Sequence, residues 1–135
     1  MRLDLKPDSI AERIALRMNL APTPILETQI ALVSARAIMA ATELGVFSCL
    51  EDKTLSARQI GAACGLELHA TEALLGALVS MRYLRYSQDH YELTAKSRKW
   101  LAPRNNWSLF DYMPHVRDVW RMGESLEQFL RTGRG

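Results

Sequence analysis

Histidine and cysteine are the residues of this sequence best suited to bind a metal or to attack a substrate, and five of them are present. Metal sites and redox pairs bring such residues together at short spacings such as CxxC. The histidines are scattered, and the cysteines stand apart among apolar residues in helical patterns: His69, His90, His115, Cys49 and Cys64. The sequence therefore predicts no metal site and two structural free thiols, with a disulfide or catalytic role as the weaker alternative.

The glycines of the sequence do not form a cofactor-binding loop. Such a loop needs glycines placed closely after a strand, because side chains would keep the ligand away from the backbone N–H groups. Gly61 and Gly65 lie around a predicted helix end, and Gly76 lies inside another helix. Gly133 and Gly135 have no strand before them. We therefore predict neither cofactor-binding nor catalytic residues in this chain.

Length and composition indicate one soluble, folded unit of 135 residues with helical extensions. The apolar fraction of 48% is ordinary, and a net charge of +2 gives no general attraction to nucleic acid or to an anionic membrane. The most apolar stretch, residues 25–44, contains Glu27, Arg36 and Glu43, whereas a bilayer span needs roughly 20 nearly uncharged residues. A buried helix explains it better, and the acidic N-terminus without a signal-peptide pattern predicts a cytoplasmic protein.

Two helices are predicted before Gly45. Ser9 and Glu12 have capping-box spacing for the first, and Thr23-Pro24 begins the second, which runs over about 24–44. The second helix is apolar on all sides, so it needs cover on more than one. We expect a second copy of the chain to supply it, with a monomeric bundle as the alternative. The predicted dimer interface comprises Ile14, Met18, Ile25, Ile30, Val33 and Ala37.

The middle of the chain has the pattern of a winged helix. Leu55 is expected to make a single strand contact, and Ser56 with Gln59 caps a helix that ends before Gly65. A second helix follows over about 70–81. The period then changes to that of a hairpin, with strands at 83–86 and 91–94 and a polar turn at 88–90, and Thr94 caps a closing helix. The predicted fold class is mainly α, with N-terminal dimerisation helices (1–50), a winged helix (51–102) and linker helices (103–135) that Pro114 breaks or kinks.

Several phrases of this sequence resemble the N-terminal dimerisation domain of small-molecule O-methyltransferases that use S-adenosylmethionine. The phrases are residues 40–47 (AATELGVF), 55–61 (LSARQIG), 74–79 (LLGALV) and 91–94 (YELT). Trp120, followed by residues 126–133 (LEQFLRTG), resembles the passage that precedes the catalytic domain in this family. The resemblance implies a homodimer that serves as the scaffold of a methyltransferase.

The resemblance also implies where the chemistry takes place. In this family S-adenosylmethionine binds to a Rossmann-like domain that also supplies a histidine general base, and no such domain is recognisable in this sequence. The chain alone is therefore expected to be inactive, and His69, His90 and His115 are not assigned that role. The type of acceptor atom, whether oxygen, nitrogen or carbon, cannot be read from the residues present.

A group of side chains near the C-terminus could line part of the pocket for a small aromatic or polyketide-like acceptor. Flat rings and thioethers suit such a ligand, and in the family this segment helps to form the acceptor pocket. The predicted lining residues are Trp107, Phe110, Tyr112, Met113, His115 and Trp120. Packing against the rest of the enzyme explains them equally well.

A dimeric winged-helix transcription regulator is the alternative function. Such a protein places the second helix of its motif in the major groove and needs Lys or Arg there to contact phosphates. This helix and its approach instead carry Glu67 and Glu72, which would repel DNA. A basic cluster at Lys96, Arg98 and Lys99 fits a solvated helix face as well as a DNA contact. The methyltransferase scaffold is therefore the favoured function.

Overall fold

The computed structural model describes residues 9–18, 20 and 22–134 of the chain. Within that part the protein is mainly helical with one small sheet, which confirms the predicted fold class. The chain divides into two units, residues 1–35 and 36–135, and the boundary falls within α2. The elements are α1 (Ile10–Arg17), α2 (Thr23–Glu43), α3 (Val46–Cys49), α4 (Ala57–Cys64), α5 (Leu68–Ser80), β1 (Leu84–Ser87), β2 (His90–Leu93), α6 (Ala95–Trp100), a 3₁₀ turn (Phe110–Tyr112), α7 (Met113–Gly123) and α8 (Leu126–Thr132).

The first unit contains α1 and most of α2. The Ser9 hydroxyl accepts a hydrogen bond of 3.1 Å from the Glu12 N–H, so α1 begins at the predicted cap. Thr28 lies one turn into α2, and its hydroxyl donates to the Pro24 carbonyl at 2.8 Å. Apolar side chains of both helices are exposed in the single chain.

The hydrophobic core lies in the second unit. Its members are buried apolar side chains contributed by the end of α2, by α3, α4 and α5, and by both strands: Ala41, Val46, Phe47, Leu50, Ile60, Leu75, Leu78, Leu84, Leu93, Leu101 and Ala102. Gly45 has φ +80°, a left-handed conformation that favours glycine, and it ends α2 as predicted. This turn sends α3 directly into the core.

Helix α4 has the capping box predicted from Ser56 and Gln59. The Ser56 hydroxyl accepts from the Gln59 N–H, and the Gln59 side chain accepts from the Ser56 N–H at 2.9 Å. At the other end, Gly65 has φ +67° and the Leu66 N–H donates to the Gly61 carbonyl at 2.8 Å. A Cβ on Gly61 would lie 3.2 Å from the Leu66 carbonyl oxygen, so glycine allows α5 to follow α4 closely.

Helix α5 begins two residues earlier than predicted. Glu67 caps it, because its carboxylate oxygens accept from the His69 N–H at 2.9 Å and from the Ala70 N–H at 2.7 Å. These two bonds lower the pKa of Glu67 below its ordinary value. His69 lies just before the predicted helix at 70–81, but in the structure it belongs to the first turn of α5.

The hairpin has a tighter turn than predicted. Leu84 pairs with Leu93 and Ser87 pairs with His90, so the turn consists of Gln88 and Asp89 alone. Both have positive φ, 50° and 60°, as in a type I′ turn. His90 therefore belongs to β2, and its assignment to the turn was wrong. The reason is that Gln-Asp lacks the Asn-Gly signature that marks two-residue turns in a sequence.

Leu55 and Glu51 join the hairpin and the segment after α6 to the core. Leu55 forms the predicted bridge with Tyr91, with N–H···O distances of 3.1 and 2.8 Å. The buried Glu51 carboxylate accepts from the Arg104 N–H at 2.8 Å and lies 3.3 Å from Arg104 Nε. Arg98 Nη1 donates to the Glu51 carbonyl at 2.7 Å. The residues that follow α6 are thereby held beside the end of α3.

Pro114 does not break or kink the C-terminal segment, contrary to the prediction. It occupies the first turn of α7, where its missing N–H would have had no helical partner and its fixed φ suits the helix. The helical interruption lies later, between α7 and α8.

Candidate functional site

Exposed apolar side chains lie along α1, along the N-terminal part of α2 and at Leu20 between the two helices. Leu26, Ile30 and Val33 follow one another at helical spacing along α2, and Val33 is 58% exposed. The full set is Ile10, Ile14, Met18, Leu20, Ile25, Leu26, Ile30, Leu32 and Val33. We call this set the α1–α2 apolar surface. Large exposed apolar patches of this kind mark sites of association.

The predicted interface residues fall on this surface with one exception. Ile14, Met18, Ile25, Ile30 and Val33 are exposed in the single chain, whereas Ala37 is half-buried in the second unit. By length and composition α2 is also apolar enough to cross a membrane, although only 17% of its apolar window is buried in the chain. Either a partner protein or a lipid phase would cover such a helix. Its charged side chains, such as Glu27 and Arg36, favour a partner protein.

A cavity of about 280 Å³ lies in the second unit between the end of α2 and the start of α7. We call it the α2–α7 cavity. Its walls are mainly apolar, with Thr42 and one ion pair as polar groups: Met39, Thr42, Glu43, Phe110, Met113, Pro114 and Arg117. Small-molecule sites combine an apolar lining with a few polar groups in this way, and their volumes start at about 300 Å³.

The charged groups of the α2–α7 cavity are one cation and one anion. Arg117 Nη1 donates to Glu43 Oε1 at 2.5 Å, so the two charges balance. Arg117 Nε is buried and has no hydrogen-bond partner within the described residues. The Thr42 hydroxyl already donates to the Ile38 carbonyl at 2.9 Å. The cavity is thus suited to an uncharged, largely apolar molecule or to water.

The residues predicted to line an acceptor pocket are divided among different places. Phe110 and Met113 line the α2–α7 cavity, and Trp120 lines a second cavity of about 560 Å³ on α7. Tyr112 and His115 contact each other, with ring centroids 5.0 Å apart, and Trp107 is 68% exposed. The structure therefore brings two of the six into one cavity.

Other lining residues of the α2–α7 cavity were missed by the sequence analysis. Glu43 and Arg117 are 74 positions apart in the chain, and no local spacing links them. Met39 belongs to the apolar pattern of α2. Such a pattern does not distinguish a residue in the core from a residue that lines a cavity. Only a signal from long-range pairing would have found these residues.

The two cysteines lie together, which their spacing in the sequence did not predict. Their Sγ atoms are 3.9 Å apart, and both thiols are free and half-buried. Burial and the neighbouring Cys64 raise the pKa of Cys49 to about 12. Within the described residues no group of three or more His, Cys, Asp or Glu side chains is arranged to hold a metal ion.

The comparison with protein families decides which kind of domain this is. Residues 26–103 match the family model of the O-methyltransferase dimerisation domain, which is more than half of the chain. This chain belongs to the O-methyltransferase dimerisation domain family. The family predicted from the sequence phrases is thereby confirmed. No curated protein matches the sequence.

Solved structures of methyltransferases share the fold of this dimerisation domain. PigF with SAH is 26% identical, with a TM-score of 0.75 over 82% of this chain and 37% of that one. Human N-acetylserotonin methyltransferase in complex with SAM is 22% identical, with a TM-score of 0.76 over 98% and 37%. An O-methyltransferase family 2 protein from Planctomyces limnophilus in complex with apigenin is 25% identical, with a TM-score of 0.62 over 67% and 28%.

This chain spans between 28% and 37% of the length of these structures. A dimerisation domain needs a surface that a second copy can cover, and the apolar character of α2 fits that requirement. Family membership gives no direct account of the α2–α7 cavity or of the cysteine pair.

Proposed function

We propose that this dimerisation domain forms a homodimer through the α1–α2 apolar surface and supports an S-adenosylmethionine-dependent methyltransferase. The observation that carries the proposal is the row Leu26, Ile30 and Val33, which is apolar and exposed in the single chain. Burying such side chains stabilises an assembly by about 25 cal/mol per Å² of apolar area removed from water. A second copy offers the same row, as two-fold symmetric interfaces require. The contacts in the dimer would also include Ile14, Met18, Ile25 and Ala37.

We infer that the methyl donor and the catalytic groups belong to the portion of the relatives that this chain does not match. Structures of two relatives contain SAH or SAM, and in the described residues of this chain no strand precedes a glycine-rich loop. Under this proposal the chain by itself binds no S-adenosylmethionine. Isothermal calorimetry tests it, and saturable heat on addition of the cofactor would refute it.

The α2–α7 cavity is proposed as part of the pocket for a small aromatic or polyketide-like acceptor. Its apolar lining includes Phe110 and Met113, and the Planctomyces limnophilus relative was solved with apigenin, a flat aromatic compound. The volume of about 280 Å³ is smaller than a whole acceptor site, so the remainder of the enzyme would complete it. We further propose that residues 51–102 form a winged helix that braces the catalytic part of the enzyme. We also propose a cytoplasmic location.

The features of α5 oppose DNA binding as the function of this domain. Its exposed face presents His69, Glu72 and Ser80, and the helix contains neither Lys nor Arg. Recognition helices use such cations to contact phosphates, and carboxylates at this position repel the duplex. A salt-sensitive shift of duplex DNA at micromolar protein would favour the transcription regulator instead.

Val33→Glu tests the proposed dimer interface. The substitution places two carboxylates, one from each copy, in an apolar symmetric interface. It should raise the dissociation constant of the dimer by about 30-fold or more. Analytical ultracentrifugation over a concentration series measures that constant. We expect wild-type dimers and a Val33→Glu monomer.

Ala31→Glu is the matched control, because it adds the same charge to an exposed position of the same helix, on the side away from the row and away from Ile25 and Leu32. We expect Ala31→Glu to remain dimeric. A wild-type monomer, or equal weakening by both substitutions, would contradict the interface. Flotation of the wild-type chain with neutral phosphatidylcholine vesicles would indicate instead that a membrane covers α2.

A further inference from the structure

The Cys49 and Cys64 thiols meet at the ends of two packed helices. Cys49 is the last residue of α3, and Cys64 is the last residue of α4. The Cys64 thiol donates to Cys49 Sγ at 3.9 Å, and the Cys49 thiol donates to the Val46 carbonyl at 3.2 Å. Both side chains pack against the hydrophobic core. The two sulfur atoms are therefore held as neighbours by the same packing that forms the fold.

Little movement separates this arrangement from a disulfide. A disulfide needs a sulfur–sulfur distance of about 2.0 Å, so the Sγ atoms must approach by roughly 2 Å. Each cysteine ends its helix, and Leu50 and Gly65 follow in non-helical or left-handed conformations. A helix end adjusts more easily than its interior, because fewer hydrogen bonds hold it. We therefore expect the approach to be accommodated where α3 and α4 end.

The two thiols differ in their surroundings. Burial, followed by the nearby Cys64, raises the pKa of Cys49 to about 12, so Cys49 keeps its proton at neutral pH. The thiolate is the form that attacks an oxidant. Cys49 is consequently a poor nucleophile toward an oxidant, and we assign it the second step of the reaction.

We propose that Cys49 and Cys64 form a reversible intrachain disulfide when the protein meets hydrogen peroxide. The Cys64 thiolate attacks one peroxide oxygen, the O–O bond breaks, and the released hydroxide takes the proton that the thiol gave up. Cys49 sulfur then attacks the Cys64 sulfenic acid, the S–O bond breaks, and hydroxide leaves with the Cys49 proton as water. In sum, two thiols and one peroxide give one disulfide and two waters.

Peroxide treatment of the whole chain, followed by intact-mass measurement, tests the proposal. We expect the mass to fall by two hydrogen atoms, both cysteines to resist iodoacetamide in urea, and dithiothreitol to restore both thiols. The protein should remain a single chain on a non-reducing gel. Two thiols that are still alkylated, or a disulfide found only between chains, would overturn the proposal.

C49S and C64S separate the two roles. With C49S, Cys64 should still consume peroxide and gain oxygen, because its disulfide partner is missing. With C64S, loss of the remaining thiol should be about tenfold slower or more, because burial, the largest cause of the raised pKa of Cys49, still acts in this variant. Equal rates for the two variants would contradict the order of attack. Circular dichroism before oxidation checks that each variant is folded, and C49A replaces C49S if the serine variant is not.

Discussion

At the scale of the residue, the buried carboxylate of Glu51 stabilises the second unit through its contacts with Arg104. Glu51 is 8% exposed, and its carboxylate accepts from the Arg104 N–H and pairs with Arg104 Nε. Arg85 and Glu92 form a comparable ion pair across the exposed hairpin. A buried carboxylate that loses its charge weakens every bond it accepts, whereas an exposed pair is screened by water.

Glu51→Gln should lower the free energy of unfolding by about 1.5 kcal/mol, the usual value of a hydrogen bond to a buried charged group. Urea denaturation followed by circular dichroism measures it. Glu92→Gln is the control, and we expect it to cost under about 0.5 kcal/mol because Arg85 is largely exposed. Equal losses would mean that burial of Glu51 does not matter.

At the scale of the element, helix ends decide where the chain turns between segments. Ser56 and Gln59 begin α4, Glu67 begins α5, and Gly65 provides the left-handed turn between them. Each cap satisfies N–H groups that the first turn of a helix leaves without a partner. These short-range contacts place α4 and α5 at the angle that lets Ile60 and Leu75 reach the same core.

Ser56→Ala should destabilise the protein by about 1 kcal/mol, because the capping box loses its hydroxyl acceptor. Thermal denaturation of the variant measures the change. Ser80→Ala offers a control at the other end of a helix, where the hydroxyl donates to a carbonyl that lies in the last turn of α5. That substitution should change stability by less than about 0.5 kcal/mol. A larger effect of Ser80→Ala than of Ser56→Ala would contradict this account of the cap.

At the scale of the whole molecule, the two units differ in where their apolar side chains lie. Those of the first unit on α1 and α2 are largely exposed, whereas the second unit contains the buried core. If a second copy covers the apolar surface of the first unit, association stabilises the folded form by mass action. The free energy of unfolding then depends on protein concentration.

The melting temperature of the wild-type chain should therefore rise as its concentration increases, by a few degrees over a hundredfold range. Differential scanning calorimetry measures the shift. Val33→Glu should melt at a temperature that is independent of concentration, whereas Ala31→Glu should behave like the wild type. A concentration-independent melting temperature for the wild type would mean that the folded chain does not need a partner.

The sequence by itself determined the features that depend on neighbours in the chain. Capping residues, the Leu55 bridge and the apolar α2 helix follow from spacing, and so does the family resemblance, because each is encoded within a few positions. Even so, the sequence analysis did not predict the Glu67 cap or the two-residue turn at Gln88 and Asp89. Glutamate is unusual as a helix N-cap, and Gln-Asp is unusual in a two-residue turn. Only the tertiary structure brought Glu43 to Arg117, Glu51 to Arg104 and Cys49 to Cys64. Those pairs arise from the way distant segments of the chain pack together. Hydrophobic periodicity predicts which face of a helix is buried, but it does not predict which residue of another segment that face contacts.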